Sequence, residues 1–279
     1  MAVSTHSSRL VTGAEYEQAI TASDSDRRAR SAFQDLVSSI AAPGAALFDF
    51  GAGTGIDARV YAERGYTVGA YDVDPRMRRY FALRCRELID AGRITTYAGS
   101  YAQFLACDAR SAGRQVALIT SNFAPLNLIA DLPPLFEKFH ALTAPGGRVL
   151  VSVLNPYFIG DSRYRWWWRN GLRLWRVGHF AVAGAQAAIM RRRLADFARN
   201  SAPYFELARV YPGLPRRGAP AAGGIDVTRD GRFAWLHLLT CRFMFLLFER
   251  RSMDGHGGAD HRAHGPSSIS STNDARSRA

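Results

Sequence analysis

The chain predicts an open, parallel α/β sheet with helices on both faces, and three observations carry that prediction. Short apolar runs alternate with amphipathic stretches from about residue 46 to residue 154, without internal repeats. The first run, Leu47–Phe50, breaks into a loop with glycine at every second position: Gly51, Gly53 and Gly55. The second run, Thr67–Tyr71, closes on an acid, Asp72. A buried strand that opens into a glycine turn and then a helix leaves backbone N–H groups bare toward a ligand. An acid ending the neighbouring strand stands where open α/β sheets reach a ribose. Loop and acid together imply a nucleoside-containing ligand.

The elements follow in order. Residues 1–12 are expected to be disordered. Apolar positions Tyr16, Ala19 and Ile20, then Phe33, Leu36, Val37 and Ile40, predict one or two helices within Glu15–Ile40. Pro43 and Gly44 break the chain before a first strand at Ala46–Phe50. A helix is expected over Ile56–Arg64 and a second strand over Thr67–Tyr71. Asp74 and Pro75 supply an N-cap and a first-turn proline for a helix reaching about Ala91, where Gly92 stops it. Ile94–Ala98 and Val116–Thr120 read as the third and fourth strands, Leu132–Leu142 as a helix, and Arg148–Leu154 as the fifth strand. The alternation then halts over residues 157–201, long for an ordinary connection, so this segment reads as an inserted substrate cap. It holds Trp166, Trp167, Trp168 and Trp175 among arginines. Phe205–Tyr211 and Cys241–Phe248 supply a sixth and a seventh strand. The folded domain is thus expected over residues 13–251, with residues 252–279, poor in apolar residues, as a disordered tail.

At 279 residues, 47% hydrophobic and 22% charged, the composition is that of one globular domain with appendages. Cys85, Cys107 and Cys241 lie far apart without a C-x-x-C pair, which argues against both a disulfide framework and a metal site. The first ten residues lack the apolar stretch of a signal peptide. Phe233–Phe248, the longest apolar stretch, is short for a membrane span and is interrupted by His237 and Arg242. These features make a cytoplasmic protein the expectation. The net charge of +12 is nearly all arginine, with Lys138 the only lysine. Arg163, Arg165, Arg169, Arg173 and Arg176, followed by Arg191, Arg192 and Arg193, crowd the inserted segment. Such a patch attracts phosphate, nucleic acid or an anionic membrane, and the alternative is a solvated helix face.

Spacing separates two nucleoside ligands. A dinucleotide turn needs its third glycine three places after the second, and Ile56 stands there. The run Asp49–Gly55 (DFGAGTG) instead resembles the first motif of class I S-adenosylmethionine (SAM) methyltransferases of the bacterial small-molecule type. The PGG of Pro145–Gly147 before the fifth strand, and Thr120–Asn127 (TSNFAPLN) at the end of the fourth, are similar to that family too. The resemblance covers Leu47–Pro156 well and extends more weakly to about Arg250. It implies a Rossmann-like seven-stranded sheet, six strands parallel and the seventh antiparallel between the fifth and sixth, with a helical cap after strand five. It also implies SAM as cofactor. Backbone at Gly51, Ala52 and Gly53, with Gly55 closing the loop, would lie along its methionine part, and Asp49 would support the amino group. Asp72 would accept hydrogen bonds from the ribose hydroxyls. Val73 and Met77 would wall the adenine, although Met77 equally suits a helix core. Ser100 stands where many members carry an acid, and Tyr101 offers a ring to stack instead.

Asn122 and Phe123, after the fourth strand, would lie beside the sulfonium, where an aromatic face attracts positive charge. Methyl transfer is an in-line displacement, so alignment of acceptor and methyl matters more than a protein nucleophile. If the acceptor is a hydroxyl, Tyr157, His179 and Asp161 in the cap, or Asn122 as an orienting group, are the available residues, none with a spacing argument behind it. Asn155-Pro156-Tyr157 is similar to the signature of amino-methylating nucleic-acid enzymes, but it follows the fifth strand and lacks the second proline. The expected function is methyl transfer to a small-molecule or lipid-like acceptor, anionic or membrane-associated, at the inner face of the membrane or free of it, with no metal. The rivals are an RNA methyltransferase using the arginines of residues 163–193 and a catalytically inactive binding module.

Overall fold

The computed structural model describes residues 23–108, 115–183, 188–213, 236 and 238–251. The expected disordered ends, residues 1–12 and 252–279, and the first part of the expected N-terminal helix lie outside them. Helix α1 (Asp24–Ile40) starts on Ser23, whose hydroxyl accepts from Asp26 N, and turns Ala29, Phe33, Leu36 and Val37 inward. Then come β1 (Ala46–Phe50), α2 (Ile56–Glu63), β2 (Thr67–Tyr71), α3 (Pro75–Arg84), α4 (Arg86–Asp90), β3 (Ile94–Tyr97) and α5 (Tyr101–Ala106). The second half holds β4 (Val116–Ser121), α6 (Pro133–Leu142), β5 (Thr143–Leu154), α7 (Arg165–Val177), β6 (His179–Ala183), β7 (Ala188–Arg192), α8 (Leu194–Ser201), β8 (Phe205–Pro212) and β9 (Phe243–Arg250).

Seven strands form one sheet in the order β3-β2-β1-β4-β5-β9-β8. Strands β1 to β5 pair in parallel, and β9 lies antiparallel between β5 and β8, as the resemblance implied. Alternation along the strands sends side chains to two cores. Phe48, Phe50, Ile119, Val149, Val151 and Leu246 pack with α5, α6 and α8, and Leu47, Val68, Leu118, Leu150 and Phe245 pack with α1, α2 and α3. The chain builds outward from β1 to β3 and then crosses back to place β4 on the other side of β1. That switch point opens a crevice above the carboxyl ends of β1 and β4, where such sheets bind ligands.

Three boundaries differ from expectation for physical reasons. The helix expected from Pro75 to Ala91 breaks at Cys85, whose Sγ reaches back to Gly55 O at 3.6 Å and ties the helix under the glycine loop. Strand β5 begins at Thr143, not Arg148; Pro145–Gly147 forms a bulge between the pairs Val116–Thr143 and Leu118–Arg148. The inserted segment is not wholly helical, since β6 and β7 form an antiparallel hairpin after α7. Its last part, α8, buries Leu194 and Phe197 in the core beneath the sheet. The part of the inserted segment that stands apart from this core therefore ends at Arg192.

Candidate functional site

The glycine loop is stitched to the second strand. Gly51 N and Ala52 N both donate to Tyr71 O, at 2.8 and 3.0 Å. Gly51, Gly53 and Gly55 have φ of +74°, +57° and +83°, a region that favours glycine. The three positions differ in what surrounds them. A Cβ on Gly51 would lie 2.5 Å from Pro125 Cγ, and one on Gly55 would lie 2.8 Å from the Phe81 ring. A Cβ on Gly53 would meet nothing within 4 Å, so this residue presents bare backbone to open space. Gly53 N donates to Asp72 Oδ2 at 2.8 Å and Asp74 N donates to Oδ1 at 2.8 Å. Burial raises the Asp72 pKa and these two bonds oppose it. A cavity of about 200 Å³ opens beside this carboxylate, lined by Ala52, Asp72, Arg78, Phe81 and Ala98 among others.

Asp49, the second-last residue of β1, is 2% exposed. Its Oδ1 accepts from Thr120 Oγ1 at 2.9 Å, whereas Oδ2 has no hydrogen-bond partner. Desolvation, and next the charge of Asp57, push its pKa up to about 8. The buried Oδ2 thus has no partner and the group holds its proton below that value; a nearby ammonium would stabilise the ionised form.

Asp57 belongs to a second network that the sequence did not single out. It accepts from Gln34 Nε2 at 2.7 Å, from Asn122 Nδ2 at 3.2 Å, and pairs with Arg30 at 2.5 Å. Arg30 in turn lies 4.3 Å over the Phe123 ring. Helix α1, the first turn of α2 and the end of β4 are thereby tied together around a cleft lined by Arg30, Gly51–Thr54, Ile56, Asp57, Asn122 and Phe123. In sequence, Asp57 is an ordinary acid in a helix's first turn and Arg30 is one arginine among several. Only their separation across three elements marks them, and periodicity does not register that. Phe123 and Ala124 both have positive φ, +60° and +69°. Two consecutive non-glycine residues in that region store strain of order 1–3 kcal/mol each, a cost that clusters at ligand sites. The strand end is bent to aim Asn122 and Phe123 into the cleft.

The remaining expected residues divide. Val73 is 55% exposed next to Asp72, and Met77 is half-buried on α3. Ser100 is engaged as the N-cap of α5, accepting from Gln103 N while Gln103 Oε1 accepts from Ser100 N. The Tyr101 ring stands edge-on to Phe50 at 6.5 Å, and burial raises its pKa to about 12. Neither Ser100 nor Tyr101 lines the cleft or the 200 Å³ cavity. His179 stands 3.4 Å from Asp196, a buried acid that also holds Arg192 and Arg199, and Asp161 pairs with Arg191. Tyr157, its pKa raised by burial to about 12, lines a separate cavity of about 410 Å³. Trp167, Trp168, Trp175, Leu174 and Phe180 form its apolar walls, and Arg193 adds a guanidinium whose Nε is buried without a partner. Among the described residues no group of three or more His, Cys, Asp or Glu suits a metal ion, and no helix is long and apolar enough to cross a membrane.

Comparison with known proteins gives one family match: a methyltransferase domain, over residues 23–192. No curated protein matches. Solved structures share the fold. A TehB-like SAM-dependent methyltransferase from Corynebacterium glutamicum is 15% identical, with a TM-score of 0.52, over 86% of this chain and 98% of its own. The 1,6-didemethyltoxoflavin-N1-methyltransferase of Burkholderia thailandensis, with 1,6-didemethyltoxoflavin and S-adenosylhomocysteine bound, is 19% identical at TM-score 0.53, over 85% and 84%. The CcbJ methyltransferase from Streptomyces caelestis is 15% identical at TM-score 0.54, over 81% and 90%.

Proposed function

Since the chain belongs to the methyltransferase-domain family, we propose that it transfers the methyl group of SAM to a small molecule held by the cap. The observation that carries the cofactor half is Asp49 Oδ2, a buried carboxyl oxygen without a hydrogen-bond partner, two residues before the glycine loop. The residues present fit SAM. Asp49 would accept from its ammonium, and Arg30 is the cation in the cleft suited to its carboxylate. Asp72, already held by two backbone N–H groups, keeps lone pairs free for the ribose hydroxyls. When bound, SAM supplies an electrophilic methyl on a sulfonium whose positive charge disperses as the methyl leaves. The protein's part is alignment: Asn122 is locked by its bond to Asp57, and Phe123 is fixed between Arg30 and Phe243. These groups exclude water and hold the reacting end still, which is where positioning lowers a displacement barrier.

The acceptor half rests on the 410 Å³ aromatic cavity, a size suited to a small organic molecule. Its indole walls favour a flat, apolar body, and the unpartnered Arg193 Nε favours an anionic or strongly accepting substituent. Tyr157 in its wall is protonated at neutral pH, so it donates a hydrogen bond that orients the acceptor. The test has two stages. SAM should raise the melting temperature of the pure protein, and Asp72→Ala should remove that shift. Incubating the protein with tritiated-methyl SAM and a cell extract should then label the acceptor; no binding of SAM or its demethylated product sinks the reading.

A further inference from the structure

We propose that helix α7 docks the protein on an anionic membrane surface. The helix reads RWWWRNGLRLWRV, with four arginines and no acid. At about 100° per residue it divides into three sectors. Trp166, Trp167, Asn170 and Leu174 turn toward the protein. Trp168, Leu172 and Trp175, at i, i+4 and i+7, line one outer sector and are 67%, 60% and 72% exposed. Arg165, Arg169, Arg173 and Arg176 fill the adjacent outer sector, all of them exposed. Trp168 is held in place by donating Nε1–H to Ser162 O at 2.6 Å, so its ring does not fold back onto the helix.

An apolar stripe beside a wholly basic one is the pattern of a helix lying in a bilayer interface. The stripe enters about 5–10 Å to the acyl boundary while arginines reach the lipid phosphates. Tryptophan at that depth is favoured in its own right. Charge selects the occupant: a partner of neutral or basic surface would leave four guanidinium groups unanswered, and anionic lipid answers all four. The aliphatic members distinguish lipid from RNA. Leu172, and Val177 at the helix end, offer nothing for bases to stack on, whereas acyl chains cover them. Trp168 and Trp175 also line the aromatic cavity, so a membrane-seated α7 places the mouth of that cavity at the lipid surface.

The test uses the full chain with vesicles of phosphatidylcholine alone or with about one-third phosphatidylglycerol, read by co-sedimentation and tryptophan emission. Anionic vesicles should pellet the protein and shift its emission to the blue. Neutral vesicles should bind at least about tenfold more weakly, and high salt should release the protein. The double variant Leu172→Glu/Arg173→Glu, whose residues line neither cavity, should lose at least about tenfold in affinity for anionic vesicles. Its circular-dichroism melting curve should match the parent's, and Leu172→Trp/Arg173→Lys should restore binding. Three results would overturn the proposal: no vesicle binding, undiminished binding by the double variant, or displacement from vesicles by single-stranded RNA that the same variant no longer retains. Because vesicles and circular dichroism report it, the outcome is independent of whether SAM binds.

Discussion

Two aspartates at the ends of adjacent strands differ in chemistry because their surroundings differ. Asp72 accepts from two backbone N–H groups, which oppose the rise in pKa that burial causes; Asp49 has one hydroxyl partner and a buried oxygen without one. Removing Asp72 should forfeit charge-assisted bonds of about 1.5–3 kcal/mol, so Asp72→Ala should weaken SAM binding at least about tenfold by calorimetry. Asp49 gives a pH signature. Its pKa in the folded chain lies near 8, against an ordinary value of 3.8. The native state therefore binds more protons than the unfolded chain between those values. The stability Asp49 contributes is full below about pH 4 and is lost as pH rises through 8. An arriving ammonium reverses the preference, so SAM affinity should climb with pH up to about 8 and proton release should accompany binding below it. Titration calorimetry in buffers of different ionisation enthalpy reads both effects. Asp49→Asn should flatten the pH dependence of apo melting, and a variant with the parent's slope would remove Asp49 from the account. Asp49, Asp72 and the glycines were legible because their chemistry sits within a short stretch of sequence. Arg30 and Asp57 were not, because an ion pair spanning 27 positions leaves no local trace.

At the scale of the element, the glycine loop makes a prediction that separates folding from binding. Gly51 and Gly55 are enclosed by Pro125, Phe81 and Cys85, whereas Gly53 faces open space. Alanine at Gly53 carries only the left-handed backbone cost of about 1–2 kcal/mol, yet places a methyl where the cofactor would approach in the proposed site. Alanine at Gly51 carries the same cost and a clash with a proline ring. Gly53→Ala should therefore fold, with slightly lowered denaturant midpoint and severely weakened SAM binding. Gly51→Ala should lose clearly more stability, and equal midpoints for the two would contradict the geometry. The strands bordering this loop were legible to within a residue or two, since β1 and β2 are short, largely apolar runs followed by glycine or acid. The cap was less so. Its hairpin, His179–Arg192, is too short and too rich in alanine and arginine for alternation to show. Cys85 broke a helix that pattern alone extends, because its tertiary contact with Gly55 O outweighs a continuous apolar face.

Two halves of the described residues join through the ends of β4 and β5 and through Arg192, which donates to Leu126, Ile129 and Ala130 O and pairs with Asp196 of α8. In the proposed function the cofactor half is sheet, glycine loop and α1, and the acceptor half is α7, the β6–β7 hairpin and the segment after β5. That division makes their functions separable. A ligand at a hundred times its dissociation constant stabilises the native state by about 2.7 kcal/mol. At about 2–4 °C per kcal/mol for a domain of this size, saturating SAM should raise the melting temperature by about 5–10 °C. Arg193→Gln removes the guanidinium from the aromatic cavity without touching the glycine loop, so the SAM-induced shift should be unchanged. Transfer to the labelled acceptor should fall by about 10- to 100-fold, the worth of a hydrogen bond to a charged group. The loss should lie mainly in KM, because in the proposed site Arg193 would contact the body of the acceptor and not the reacting atoms. A loss confined to kcat would move Arg193 next to the transferred methyl. A loss of the SAM shift would show that the two halves are one site.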